Sequence, residues 1–182
     1  MSLTMGFGFE MMDRCAKIAH RYGMGKENLS QGLDSYDLAI LRILQQDCTK
    51  PQRQIGEIVN LSTASVQRRI RRMEADGVIS TQAAQIEPKT VGLPLTILVE
   101  VELRAETAGR IDDIKRSFQD APEIQQCYYV TGEVDFILVV IVGDMSEYEA
   151  LTQRLFFPND NIRKFRTFVT MDRTKSTMQL NI

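Results

Sequence analysis

The chain has 182 residues, room for one medium domain or two small ones, with 43% hydrophobic and 25% charged residues. That balance is globular and excludes disorder. A net charge of −2 excludes a polycation, so any attraction to nucleic acid must come from a local patch. Cys15, Cys48 and Cys127 are odd in number and never in CxxC spacing, which excludes a disulfide frame and a zinc site. The longest apolar run, FILVVIV at Phe136–Val142, is too short to cross a bilayer and suits a buried strand. The N-terminal stretch has no long apolar core after a basic start, so a cytoplasmic protein with no membrane partner is expected.

Residues 1–32 read as an N-terminal extension or arm. Phe9, Met12, Ala16, Ala19 and Tyr22 recur at helical spacing between glycine-punctuated stretches. Residues 33–87 then read as three helices and a wing. Asp34 caps the first helix, Asp37 completes a capping box, and Leu33 and Leu38 are placed for a hydrophobic staple. Ile40, Leu41 and Leu44 continue its apolar stripe. The second helix starts near Pro51 and carries Ile55, Ile58 and Val59, and Asn60 stands where a left-handed residue ends it. Leu61 plugs the corner and Ser62 caps a third helix, which completes a helix-turn-helix. Gly77 closes that helix, and Val78 to Glu87 reads as an extended wing.

Residues 88–94, PKTVGLP, read as a linker. From 95 to 182 strands alternate with helices. Leu95 to Leu103 is a strand, and Ile111, Ile114 and Phe118 mark a helix. Ile124 to Thr131 and Asp135 to Val142 form a hairpin. Tyr148, Leu151 and Leu155 mark a second helix, and Ile162 to Met171 a last strand. The order βαββαβ is ferredoxin-like, so the whole chain reads as α+β, a winged helix-turn-helix followed by a ferredoxin-like domain. Both helices of such a unit cover one sheet face, yet FILVVIV is apolar on both faces. A second copy of the chain, joined through a two-fold axis, is the simplest cover. A homodimer also suits a helix-turn-helix, which reads two half-sites on double-stranded DNA.

The third helix carries Arg68, Arg69, Arg71 and Arg72 within five positions. At about 100° per residue, Val66, Ile70 and Met73 share the buried side. Arg68 and Arg72 then point away, with Arg69 and Arg71 on the two flanks. Ser62, Thr63, Ala64 and Ser65 are small enough for close approach to a groove floor, Gln67 follows them on the DNA-binding face, and Ser65 or Arg68 is the candidate for base reading. Phosphate anchoring is the expected role of Arg69, Arg71 and Arg72. The segment 33–87 has seven basic and seven acidic residues, so its positive charge is concentrated rather than general. An arginine run alone is often only a solvated helix face; the capped corner before it and the glycine and wing after it favour DNA reading.

LDSYDLAILRILQQD, IGEIVNLSTASVQRRIRRMEADGVIS and CYYVTGEVDFILVV together resemble the Lrp/AsnC, or feast/famine, family of bacterial and archaeal transcription regulators. The resemblance runs from about Leu33 to the C-terminus. It implies a winged helix-turn-helix joined to an effector and oligomerisation domain, with dimers often assembled into rings such as octamers. It also implies a small amino-acid effector in clefts between dimers. Thr131, Gly132 and Asp135 match the VTGxxD motif near that cleft, and Phe168 falls where an aromatic is common in the last strand. A glycine there permits close backbone approach and a carboxylate can pair with an α-amino group; a plain hairpin turn stabilised by Asp135 is the structural alternative. Departures are residues 1–32, Lys50 where isoleucine is common, and FFPNDNIRKF in place of a shorter turn.

The same architecture resembles siroheme decarboxylases, which rely on histidines near the tetrapyrrole. The only histidine here, His20, lies outside the shared region, and the arginine helix is retained. A sensor of amino acids without DNA binding is a third alternative. With no catalytic set, phosphate-cradling glycine loop or metal-ligand cluster in 33–182, a non-enzyme without cofactor or metal is expected.

Overall fold

A computed structural model of the chain describes residues 32–105 and 107–182; the helix expected around Phe9 to Tyr22 lies outside them. The described residues divide into two compact units. One comprises residues 32–85 with Lys175–Ile182, the other Ile86–Thr174.

The first unit holds three helices: α1 (Ser35–Gln46), α2 (Gln52–Val59) and α3 (Thr63–Ala75). Local chemistry sets their ends. At α1 the Asp34 carboxylate accepts from Asp37 N at 2.9 Å while the Asp37 carboxylate accepts from Asp34 N at 3.0 Å, a reciprocal capping box. The α2–α3 corner turns on Asn60, left-handed at φ 56° and ψ 45°. Ser62 Oγ accepts from Ser65 N at 3.2 Å to start α3. Gly77 (φ 72°) follows α3, and Ile79 N bonds back to Met73 O at 3.0 Å. Ile40, Leu41, Ile55, Val59, Val66, Ile70 and Met73 form the core, joined by Leu33, Leu38 and Leu61. Ile58, expected on the apolar face of α2, is 57% exposed instead. An eight-residue helix against two neighbours buries only the stripe through Ile55 and Val59, and Ile58 falls past its edge.

Residues 80–87, the expected wing, carry no helix or strand among the described residues. The run STQAAQ offers no alternating apolar face to pair. The last eight residues, grouped by sequence with the ferredoxin-like segment, lie instead on α1. Gln45 accepts from Leu180 N at 2.6 Å and donates to Leu180 O at 3.3 Å, and Arg42 Nε donates to Ile182 O at 2.6 Å.

The second unit opens with a 3₁₀ turn at Pro88–Val91, ended by Gly92 at φ 83° within the expected linker. It continues as β1 (Leu95–Leu103), α4 (Ala108–Gln119), β2 (Ile124–Tyr129), β3 (Phe136–Val142), α5 (Met145–Leu155) and β4 (Ile162–Val169). The antiparallel sheet has strand order β2-β3-β1-β4, the ferredoxin-like arrangement. Strand alternation divides the residues cleanly. Ile97, Val99, Val101, Phe136, Leu138, Val140 and Val142 are fully buried, with Ile114 and Phe118 of α4 and Leu151 of α5 in the same core. Phe118 sits edge-on to Phe136 and Phe156 at centroid distances of 5.5 and 5.9 Å.

The opposite face is apolar and only half covered. Register puts Leu98 between Val139 and Phe168, and Tyr128 beside Ile137. Leu98, Tyr128 and Phe168 are 38%, 50% and 49% exposed. Glu100 and Arg166, cross-strand partners on this face, pair at 2.8 Å.

Candidate nucleic-acid interface

The reading helix is oriented by its own apolar residues. Val66, Ile70 and Met73 are buried against α1 and α2, so the opposite side of α3 faces outward. Ser62, Thr63, Ala64, Gln67, Arg68 and Arg71 are exposed, and Ser65 is half-buried. The corner that presents them is tight: Leu61 N bonds Gly56 O at 2.9 Å, and a Cβ on Gly56 would lie 2.5 Å from Leu61 O. Gly56 was missed by periodicity; its signal was a glycine inside a helical stretch.

Arg69 and Arg72, expected as phosphate anchors, both pair with carboxylates at the start of α1. Arg69, whose side chain is 19% exposed, donates Nη1 to Asp37 Oδ1 at 2.8 Å and to Asp34 Oδ2 at 2.7 Å. Its guanidinium also lies 5.5 Å from the Tyr36 ring centroid. Arg72, expected to point directly away, turns Nη2 to Asp37 Oδ2. The reason is reach: a helical wheel fixes where Cβ points, but an arginine head travels several ångströms further, and a buried carboxylate on α1 attracts it. Burial by itself would push the Asp37 carboxyl up. The Asp34 N–H and the two guanidiniums outweigh that and hold it below the ordinary value. Asp34 is lowered as well, chiefly by the N–H of Asp37. Arg68 and Arg71 point outward with no ion pair among the described residues, while Arg72, though paired, stays part-exposed.

In the other unit, Thr131 and Gly132 lie exposed in the β2–β3 loop, with Gly132 at φ 151°, a conformation open to glycine. Asp135 is engaged by backbone: Oδ2 accepts from Leu103 N at 2.6 Å, Asp135 N donates to Val101 O and its carbonyl accepts from Val130 N. It therefore clamps the loop to the end of β1. Phe168 is not brought to these three residues within one chain. It pairs with Leu98, three to five residues back along β1 from the Asp135 contacts, roughly 10–17 Å at the strand rise. Sequence alone carried no register and so could not separate them. A separate cleft of about 420 Å³ lies between α4 and β2, lined by Lys115, Phe118, Ile124, Cys127, Tyr129 and Phe136. None of the four expected effector residues lines it.

No group of three or more His, Cys, Asp or Glu able to hold a metal occurs among the described residues. Among them too, no helix is long and apolar enough to cross a membrane.

A helix-turn-helix with outward arginines, on the same chain as a ferredoxin-like unit, defines a two-domain DNA-binding regulator. Comparison with known proteins agrees domain by domain. Residues 33–80 match the winged helix-turn-helix DNA-binding domain and residues 96–180 the Lrp/AsnC ligand binding domain. An uncharacterized HTH-type transcriptional regulator of Sinorhizobium fredii, y4tD, is 38% identical over 156 residues, 86% of this chain and 92% of that protein. An AsnC family transcriptional regulator from Agrobacterium tumefaciens superposes with TM-score 0.77 at 32% identity, covering 81% of this chain and 96% of that one. A transcriptional regulator of Neisseria meningitidis, solved as an L-Met complex, superposes with TM-score 0.76 at 26% identity over 81% and 96% of the two chains. The chain belongs to the Lrp/AsnC family of transcription regulators. This places it among regulators and not among siroheme-decarboxylase-like enzymes.

Proposed function

We propose that the protein acts in the cytoplasm as a homodimer that sets α3 into successive major grooves of double-stranded DNA, its affinity or assembly tuned by a small amino acid. The observation that carries the DNA geometry is the burial of Val66, Ile70 and Met73, which leaves Gln67, Arg68 and Arg71 outward behind the small first turn Ser62 to Ser65. In this reading Gln67 and Arg68 address base edges and Arg71 a phosphate. Dimer formation is supported by the open apolar sheet face around Leu98, Tyr128, Ile137 and Phe168, which costs free energy while it faces water. Larger rings such as octamers would place dimers side by side. The amino-acid effector would then sit between dimers near the exposed Thr131–Gly132 loop that Asp135 holds to Leu103. An L-Met complex of the N. meningitidis regulator supports an amino acid as the ligand class.

The test is selection of duplex fragments from genomic DNA, with and without a panel of amino acids. Enrichment of a two-fold related sequence, altered by one or a few amino acids, is expected. Fragments recovered without common sequence would overturn the DNA reading, and recovery indifferent to every amino acid would overturn the effector.

A further inference from the structure

Asp37 is the one buried charged residue among the described residues, at 0% exposure. A capping box at the start of α1 does not call for this, because the reciprocal bond to Asp34 N can be made at a solvent-exposed helix end. Burying a carboxylate is unfavourable unless it is paired and hydrogen-bonded on both oxygens. Here the opposite charge comes from the reading helix. Oδ1 accepts from Arg69 at 2.8 Å, and Oδ2 accepts from Arg72 as well as from Asp34 N at 3.0 Å. Asp34 Oδ2 adds a second bond to Arg69 at 2.7 Å. The two arginines stand three residues apart on α3, one turn, so a single carboxylate below them holds the helix at two points along its axis.

We propose that Asp37 is a positioning residue for DNA recognition, sequestering Arg69 and Arg72 from the phosphates and fixing the rotation of α3 that leaves Arg68 and Arg71 as its duplex-facing cations. The proposal rests on α3 being the DNA-contacting helix. Sequestration matters for selectivity. Four unrestrained arginines would bind any duplex through phosphate, with each added contact steepening the salt dependence and none reading sequence. Two restrained arginines shift the balance toward contacts that depend on helix placement. Arg69 is held by two carboxylates and is mostly covered, so it serves as the fixed anchor. Arg72 has one acidic partner and a side chain 44% exposed.

The test compares three variants of the full chain on a selected operator and on a random duplex of equal length, across a salt series. Arg68→Gln should weaken operator binding about tenfold or more, and Arg72→Gln by less than about threefold. Asp37→Asn keeps an acceptor for Asp34 N, releases the Arg72 guanidinium and leaves Arg69 with Asp34 as its one carboxylate partner. It should bind the random duplex more tightly and with a steeper salt slope than the wild type, so the operator-to-random ratio falls. A helix merely loosened by the substitution would lose affinity for both duplexes without a steeper slope, and that result overturns the proposal. If Asp37→Asn does not fold, the arginine pair decides: equal losses for Arg68→Gln and Arg72→Gln overturn the positioning role, and the expected difference supports it. An Arg68→Gln variant that binds like wild type instead removes the underlying reading of α3, a distinct failure.

Discussion

Replacing Gly56 by alanine sets two physical effects against each other at the corner that presents the reading helix. Helix propensity favours the change: alanine in a helix interior is better than glycine by about 0.8–1 kcal/mol. The packing at this position opposes it. An added Cβ would sit 2.5 Å from Leu61 O and 3.6 Å from Leu61 C, both backbone atoms that cannot rotate aside. The first distance falls roughly an ångström short of an ordinary van der Waals contact, so the corner must open. Leu61 N is bonded to Gly56 O at 2.9 Å, and Ser62 caps α3 directly afterward, so opening the corner strains both. Overpacking of this kind typically costs about 1–3 kcal/mol. The net expectation for Gly56→Ala is destabilisation by up to about 2 kcal/mol, visible as a lower urea midpoint at unchanged slope. Operator affinity should fall further than stability alone explains, because α3 is displaced from its seat. A variant as stable as wild type or more so would show that propensity dominates and that the corner is not tight.

Asn60 supplies a companion case: at φ 56° Asn60→Gly should be nearly neutral, whereas Asn60→Val should cost about 1–2 kcal/mol in the same urea titration. Acid should weaken the helical unit selectively. The Asp37 carboxyl is held below its ordinary 3.8, so its contribution is complete above that value and is lost as pH falls through the lowered folded one. Stability should therefore drop below about pH 4, and Asp37→Asn should flatten that drop; an identical pH profile for the two proteins would contradict the assignment. Burial raises the Cys127 thiol, with Lys115 opposing, while Cys48 is exposed. In a Cys15→Ser background, maleimide near neutral pH should modify Cys48 first and Cys127 only slowly; equal rates would contradict the burial.

Features set by residues close in sequence were legible before the structure. The Asp34–Asp37 capping box, the left-handed Asn60 and the Ser62 cap each depend on chemistry within three or four positions. Strand alternation likewise divided Phe136 to Val142 into two faces, one deeply buried and one half open. Features set by distant partners were not legible. Periodicity placed the Cβ of Arg72 outward, but its head group is decided by a carboxylate 35 residues earlier. Asp135 matched a motif, yet its bond to Leu103 N requires knowing that the β2–β3 loop meets the end of β1. Phe168 belongs to the open sheet face because of strand register, which no local pattern encodes. The return of Lys175–Ile182 to α1 rests mainly on backbone groups of Leu180 and Ile182 bonded to Gln45 and Arg42, with Gln179 Nε2 donating to Gln45 O, and backbone groups carry no residue-specific signal.

The central claim is that α3 engages duplex DNA through its outward cations, and the dependence of operator affinity on salt tests it most directly. Each phosphate contact contributes about 0.9 to the slope of log K against log salt. Arg71 is the proposed phosphate contact and Arg68 a base contact, so replacing both by alanine removes about two phosphate contacts in the proposed dimer; the slope should shallow by about 2 while circular dichroism and oligomer size stay unchanged. An unaltered slope in a folded Arg68→Ala, Arg71→Ala double variant would contradict the claim, because the duplex would then have to be held by some other surface.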